Sequence, residues 1–526
     1  MRRPSLCSVS WTIILALVAY LLEPIFFLEP ELHWKWDSLN ISETSFSGAS
    51  GLPITRDHLD FNSQQSGSPP FLWGTATAGY QTEGFNDNSQ WFEWESATDE
   101  FGRPRIKNHD KSGLASDHWR LFRHDVSLMK HLGLSSYRFS VEWSKWEPQQ
   151  GTFNQTVIEH YSDLVDALLE AGIEPICTLH HFTNPLWFQN LGSWEKSANI
   201  AVFLRFAHSV YDALGDRVKI WCTINEPEVY SMMGYLFTDQ FPPAVSSPAL
   251  AAEVLKNLMD AHVAVYRMFK GLEGGNATYI GFAKNIFQFE PNRRWNPLDR
   301  LAAHLITQVY TESVLRYVET GKFRYYQPLA VNMKAENPQA KGALDYIGLN
   351  YYSHYHVRLD PTNWARPVDR CVRPDEAALM TDMDYPIYAE GFYRALKRVG
   401  RVGVPVLVTE NGVADGQDRG IRELWIRRYL YAMACWLFDH IPHPFVRQWR
   451  AMKDGVDVRG FQYWSLMDNF EWNSGFSMKF GLMQINVTAP ELENKRKLYK
   501  GAKPFVDVVN AYNRDYNQGQ TASMKA

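Results

Sequence analysis

Eight short apolar runs, spaced along the chain with helical patterns between several of them, constrain the fold of this sequence more than any other feature. They are Phe71–Ala78, Ser136–Val141, Pro175–His180, Val218–Asn225, Tyr279–Asn285, Tyr346–Tyr352, Val404–Glu410 and Gly460–Met467. Each is bounded by polar residues or glycine and is near-continuously apolar, as strands buried on both faces are. In TVIEHYSDLVDALLEAG, residues Val157, Ile158, Tyr161, Leu164, Val165 and Leu168 trace one helical face, and Gly172 suits a C-terminal cap. Asp117–Leu132 and Arg422–Asp439 read the same way. Strands alternating with helices predict an α/β protein, a (β/α)8 TIM barrel forming a single catalytic domain with long loops. A doubly wound sheet is the runner-up on pattern alone, but no glycine-rich phosphate loop supports it.

In such a barrel, chemistry sits where the strands end. Two of the runs end in a glutamate: Thr223-Ile-Asn-Glu-Pro227 closes the fourth and Val408-Thr-Glu-Asn-Gly412 closes the seventh. An apolar strand has little reason to finish in a carboxylate that is neither paired nor functional. Either glutamate alone could simply begin an exposed loop. Together, facing across a barrel mouth, they suit glycoside hydrolysis, in which one carboxyl protonates the leaving oxygen while the other attacks or activates water. A separation of about 5–5.5 Å gives retention, and about 6.5 Å or more gives inversion.

The chain also resembles glycoside hydrolase family 1, the β-glucosidase and β-glycosidase family. The resemblance covers roughly 71–512 and rests on FLWGTATAGYQTEG (71–84), YRFSVEWSKWEP (137–148), TLHHFTNPLWF (178–188), TINEP (223–227), GLNYY (348–352), VTENG (408–412) and WSLMDNFEWNSGF (464–476), in family order. It implies a retaining mechanism with Glu226 as acid/base and Glu410 as nucleophile. Arg138 matches the arginine beside the nucleophile and Tyr352 the tyrosine that hydrogen-bonds it. Gln81, His181, Asn225, Glu471 and Trp472 match residues that bind the hydroxyls of the first sugar, and Trp464 matches the platform under its ring. Apart from the resemblance, Arg138 reads as an ordinary surface or ion-pairing arginine, His181 as a structural histidine and Trp464 as core.

Departures from the family pattern narrow the substrate. Phe182 stands where many members have Trp. Glu471, Met478 and Phe480 stand where phospho-sugar members carry Ser, Lys and Tyr, which argues against a 6-phospho-sugar. Plant thioglucosidases have Gln at the position of Glu226, so an O-glycosidase is expected. Exo-acting hydrolysis of terminal non-reducing β-D-glycosides, with β-glucosides leading, is the expected activity. A membrane-anchored transglycosidase of glycolipids and a non-catalytic sugar receptor are the alternatives. The loops Ser231–Leu250 and Val357–Asp384 are expected to shape the aglycone side. The mechanism requires no metal or cofactor. His109-Asp110 and Asp117-His118 read as solvated loop and helix-start residues.

Composition adds exclusions. A net charge of −5 offers no basic excess for nucleic acid. The 19 Trp and 26 Tyr suit stacking on sugars, though they also fill cores. The five cysteines show no metal spacing; Cys177 and Cys222 read as buried thiols, and a Cys371–Cys435 disulfide stays open. Residues 1–30 carry the apolar run 9–28 after Arg2-Arg3, with Glu23-Pro24 interrupting it. It reads as an uncleaved signal anchor, with a cleaved signal peptide or a buried segment as alternatives; the first two place the catalytic domain in a lumen or outside the cell. Residues 31–70 read as a linker and 513–526 as a polar tail. Asn40, Asn154, Asn276 and Asn486 stand in N-x-[ST] triplets, as in a glycoprotein.

Overall fold

The structure, a computed structural model, describes residues 70–360, 368–434 and 455–523. Eight parallel strands close on themselves: β1 Leu72–Ala76, β2 Ser136–Ser140, β3 Glu174–His180, β4 Ile220–Asn225, β5 Tyr279–Pro291, β6 Ile347–Leu359, β7 Val406–Asn411 and β8 Val458–Trp464. Each pairs with the next, and β8 returns to β1 through Leu72↔Gly460 to Ala76↔Trp464. The outer ring holds α1 His118–His131, α2 Gln155–Glu170, α3 Ile200–Leu214, α4 Pro248–Gly271, α5 Pro297–Thr307, α6 Ser313–Thr320, α7 Ala389–Gly400, α8 Ile421–Ala434 and α9 Lys503–Ser523. A π turn, Gln308–Glu312, joins α5 to α6. The runner-up doubly wound sheet is thereby set aside.

The strands are legible as apolar runs because they are buried on both faces; every residue of β2 and of β7 is buried. Inside the barrel the backbones crowd. A Cβ on Gly74 would lie 2.1 Å from Gln462 Oε1 and 2.3 Å from the Ser136 carbonyl, so only glycine fits there. Outside it, α2 shows how a helix is attached. The Asn154 side chain caps it by accepting from Thr156 N and Val157 N. Val157, Tyr161, Leu164, Val165 and Leu168 are buried, and each such aliphatic side chain contributes roughly 1.5–3 kcal/mol. Gly172, with φ 76°, turns the chain back towards β3.

Several boundaries differ from expectation. Strands β5 and β6 run six and seven residues beyond the runs Tyr279–Asn285 and Tyr346–Tyr352. There the pattern changes from continuous to mixed, because the strands have left the barrel wall; they stay paired as far as Pro291↔Val357, and Val368–Cys371 adds antiparallel to β6. Asp117 and His118 are buried, which corrects their reading as solvated: His118 Nδ1 lies 2.8 Å from Asp125 Oδ2, and Arg496 holds the same carboxylate. Asp110 also ties two loops together, accepting from Phe476 N at 2.8 Å. The polar residues 513–523 continue α9.

Cys177 and Cys222 are buried free thiols. The apolar run 9–28, the linker 31–70, Asn40 and Cys435 lie outside the described residues. Among the described residues no helix is long and apolar enough to cross a membrane.

Candidate active site

The carboxyl ends of the strands gather the residues singled out above. Glu226 follows β4 directly, in a left-handed conformation (φ 45°, ψ 63°), and Pro227 then starts the helix Pro227–Tyr235. A non-glycine residue held there costs about 1–3 kcal/mol, so its neighbours must fix it. They do: Glu226 N donates to the Ala283 carbonyl of β5 at 2.8 Å. Its Oε1 accepts from Asn285 Nδ2 at 2.8 Å and Asn350 Nδ2 at 2.7 Å. Burial, and then the negative charge of Glu410, raise its pKa to about 8.

Glu410, on β7, is buried between two donors. Arg138 Nη1 donates to Oε1 at 2.7 Å and Tyr352 OH to Oε2 at 2.7 Å. Burial pushes this carboxyl up as well, but Arg138 and Tyr352 pull it back down. The net displacement of Glu410 is still upward, but it alone of the pair has a guanidinium against it, so Arg138 favours its ionised form, and a charge there raises the pKa of Glu226. Gly412, two residues on, passes so close to β8 that a Cβ would meet the Trp464 carbonyl at 1.8 Å. That contact explains the glycine of the VTENG motif.

Arg138 also reaches Asn225 and, through it, His181. Its Nη2 donates to Asn225 Oδ1 at 2.7 Å, and Asn225 Nδ2 faces His181 Nε2 at 3.1 Å. Burial and Arg138 hold His181 well below its ordinary pKa, so the ring is neutral. With Nε2 accepting from Asn225, its proton sits on Nδ1, which has no partner among the described residues. The ring lies nearly parallel to Trp464 (5.8 Å, 20°) and Trp472 (6.2 Å, 20°). Gln81 Nε2 donates to Glu471 Oε2 and Asn469 Oδ1, both at 3.1 Å, while Gln81 Oε1 is buried without a partner among the described residues. Burial, and then Glu410, raise the pKa of Glu471 to about 8. Trp472 stacks on Tyr80 at 6.1 Å with 6° between the planes.

Three residues of the site escaped assignment from sequence. Asn350 stands inside the GLNYY motif; it bridges Glu226 and Asn225 and accepts from Thr409 Oγ1 at 2.6 Å. Asn285 ends the apolar run of the fifth strand, a position equivalent to those that drew attention to Glu226 and Glu410, and Tyr310 OH orients it at 2.7 Å. Glu228 accepts from Asn285 N at 2.7 Å and pairs with Lys284 at 2.9 Å, both side chains fully buried. A paired ion beneath the acid/base leaves no pattern in one sequence.

A parallel barrel whose fourth and seventh strands end in two buried glutamates, one paired to arginine and one with a raised pKa, defines a glycoside hydrolase. Residues 65–514 match the sequence profile of glycosyl hydrolase family 1. The chain is 31% identical over 445 residues to β-glucosidase A of Thermotoga maritima, covering 80% of this chain and 93% of that protein. Its fold is similar to that of a β-glycosidase from Pyrococcus horikoshii (TM-score 0.71, 34% identity, 84% of this chain and 94% of that one). It is also similar to the T. maritima β-glucosidase in complex with glucoimidazole (TM-score 0.72, 26% identity, 87% and 99%). The chain belongs to glycosyl hydrolase family 1 and is a glycosidase acting on O-glycosyl bonds.

Proposed function

We propose that this chain hydrolyses terminal non-reducing β-D-glucosides with retention, by double displacement. The carrying observation is the contrast between two buried carboxyls: Glu410 takes hydrogen bonds from Arg138 and Tyr352, whereas Glu226 takes them from the amides of Asn285 and Asn350 and is pushed up to about 8 by burial and the charge of Glu410. Glu410 attacks the anomeric carbon as Glu226 gives its proton to the departing oxygen. This leaves a glycosyl ester on Glu410 and a free alcohol. The ester removes the negative charge that kept Glu226 protonated, so Glu226 then takes a proton from water as that water displaces Glu410. Gln81, His181, Asn225, Glu471 and Trp472 bind the sugar hydroxyls, and Trp464 underlies the ring. The names of the relatives compared above support glucosides and hydrolysis over a transglycosidase or receptor reading. The test is turnover of p-nitrophenyl β-glucoside, β-galactoside, β-fucoside and β-mannoside, with the first anomer followed by NMR. An initial α-glucose product, or no turnover by folded protein, would overturn the proposal.

We further propose that residues 9–28 tether the enzyme to a membrane with the barrel on the lumenal or extracellular side. The run of apolar residues after Arg2-Arg3 supports this, as do exposed sequon asparagines at Asn154, Asn276 and Asn486. Resistance of the full chain to alkaline carbonate extraction, and a mass loss on amidase treatment, are the expected results. Release into the supernatant with unchanged mass would refute it.

A further inference from the structure

Where β5 and β6 run on past the barrel wall, they carry a cluster that glycoside chemistry leaves unused. Glu290 on β5 and His356 on β6 are register partners, and His354 precedes His356 by two on the same face. One side-chain N or O atom from each of Glu290, His354 and His356 lies within 4.8 Å of the others, and all three residues are buried. Glu376, from the turn Pro374–Leu379, completes the group. Its Oε1 lies 2.9 Å from His354 Nε2 and 2.8 Å from His356 Nε2. On the other side His354 Nδ1 faces Glu290 Oε2 at 3.5 Å. The remaining oxygen of Glu290 accepts from Tyr388 OH at 2.8 Å and from Arg394 Nη2. The His354 ring is pressed flat on Tyr388, with centroids 3.7 Å apart and 15° between the planes.

Hydrogen bonding satisfies only part of this cluster: His356 Nε2 pairs with Glu376 Oε1 at 2.8 Å, and His354 is left over. His354 is 2% exposed, yet neither of its ring nitrogens makes an aligned hydrogen bond, despite carboxylate oxygens 2.9 and 3.5 Å away. Two imidazole nitrogens crowd one carboxylate oxygen. A shared cation relieves that arrangement, because it takes the lone pairs of both nitrogens and of the oxygen together.

We propose that His354 Nε2, His356 Nε2 and Glu376 form a binding site for a divalent transition-metal ion of the zinc type, backed by Glu290 on His354 Nδ1. Two imidazoles and a carboxylate suit zinc, whereas calcium and magnesium prefer oxygen alone. Bonds of about 2.0–2.1 Å at tetrahedral angles set ligand atoms roughly 3.3 Å apart, so the donors need open by only about half an ångström. Glu290 Oε2, 3.5 Å from His354 Nδ1, stands where a carboxylate behind a ligating histidine accepts the Nδ1 proton once the ring turns towards it, leaving Nε2 for the metal. Arg394 pairs with Glu290, so Glu376 supplies the negative charge that faces the ion. The site is distinct from the carboxyl pair of the barrel mouth. It fastens β5 and β6 to the Val357–Asp384 segment, the loop expected to shape the aglycone side.

The test is titration of chelator-treated full-length protein with Co²⁺, displaced by Zn²⁺. One cobalt per chain is expected, with the visible absorption of a low-coordinate nitrogen- and oxygen-ligated ion, together with a Zn²⁺-dependent rise in Tm. His356→Ala should weaken binding more than about 100-fold and Glu290→Gln about 10–100-fold. Circular dichroism and turnover of p-nitrophenyl β-glucoside report that the variants are folded. Zinc-edge anomalous diffraction from soaked wild-type crystals, which needs no variant, should place a peak between His354, His356 and Glu376. No peak there, or cobalt binding unchanged in folded His356→Ala, means that the cluster is a protonated His354 held between carboxylates, and the proposal fails.

Discussion

Arg138 Nη1 donates to Glu410 Oε1 at 2.7 Å from a side chain with no solvent exposure. Two opposite charges out of water are costly to bury, and only further hydrogen bonds make the arrangement tolerable. Arg138 has them, to Thr178 Oγ1 at 3.0 Å and Asn225 Oδ1 at 2.7 Å. One guanidinium thus fixes the Glu410 carboxylate and the Asn225 amide in a single rigid fork.

Replacing Arg138 should therefore act on pH dependence as well as rate. Arg138→Met removes the cation that lowers the pKa of Glu410. Glu410 must be ionised to attack, so the acid limb of kcat/KM should move up by about 1–3 pH units. Arg138→Lys should recover little, since a point charge cannot serve both partners. A pH–rate profile checks this; an unmoved acid limb would show that Arg138 does not tune the nucleophile.

Glu410→Ala should lower kcat by about 10⁴-fold or more, because covalent catalysis is lost outright. External azide or formate should restore turnover by attacking from the vacated side, giving a glycosyl product of inverted configuration. Normal turnover without added anion would reassign the nucleophile.

The barrel was readable because its strands are buried on both faces, which turns a tertiary fact into a local run of apolar residues. That signal fails where burial becomes one-sided, and so β5 and β6 were cut short at Asn285 and Tyr352. Glu226 and Glu410 stood out because a carboxylate is anomalous at the end of such a run. Arg138, His181 and Trp464 carried no such anomaly, and only the family resemblance distinguished them from ordinary ion-pair, structural and core residues. Asn350 and Asn285 were missed because a neutral amide at a strand end looks unremarkable. Their role follows from reaching one oxygen of Glu226 from two different strands. Asp117 and His118 misled because a charged pair at a helix start is usually solvated, whereas Arg496, far away in sequence, closes over His118 and Asp125.

Those two amides should set the alkaline limb. Asn285 and Asn350 hydrogen-bond Glu226 and lower its pKa against the larger effect of burial. Asn285→Ala removes one of these bonds, so the limb near pH 8 should move to higher pH, by roughly 0.5–1 unit. Asn350→Ala should shift it the same way but also cost more rate, since Asn350 touches Asn225 too. A downward shift of the limb in Asn285→Ala would mean that the amide stabilises the protonated acid instead.

The raised carboxyls also carry a stability consequence of definite sign. Glu226 and Glu471 both titrate near pH 8 in the folded chain, against an ordinary value of 4.5. The unfolded chain therefore releases these protons first as pH rises. Each group's contribution is fully present below about pH 4.5 and is lost progressively up to about pH 8. Glu226→Gln removes the ionisation while its side-chain oxygen can still accept from Asn285 and Asn350. Above pH 8 this variant should be more stable than the parent by on the order of 1–3 kcal/mol, with Tm higher by about 2–4 °C. The difference should vanish near pH 4. Glu471→Gln should behave alike, since burial and the charge of Glu410 raise that carboxyl too. Thermal melts from pH 4 to 9 decide the matter. A Tm difference that is constant with pH would mean that packing, not ionisation, separates the variants, and that the acid/base is not held protonated by its surroundings.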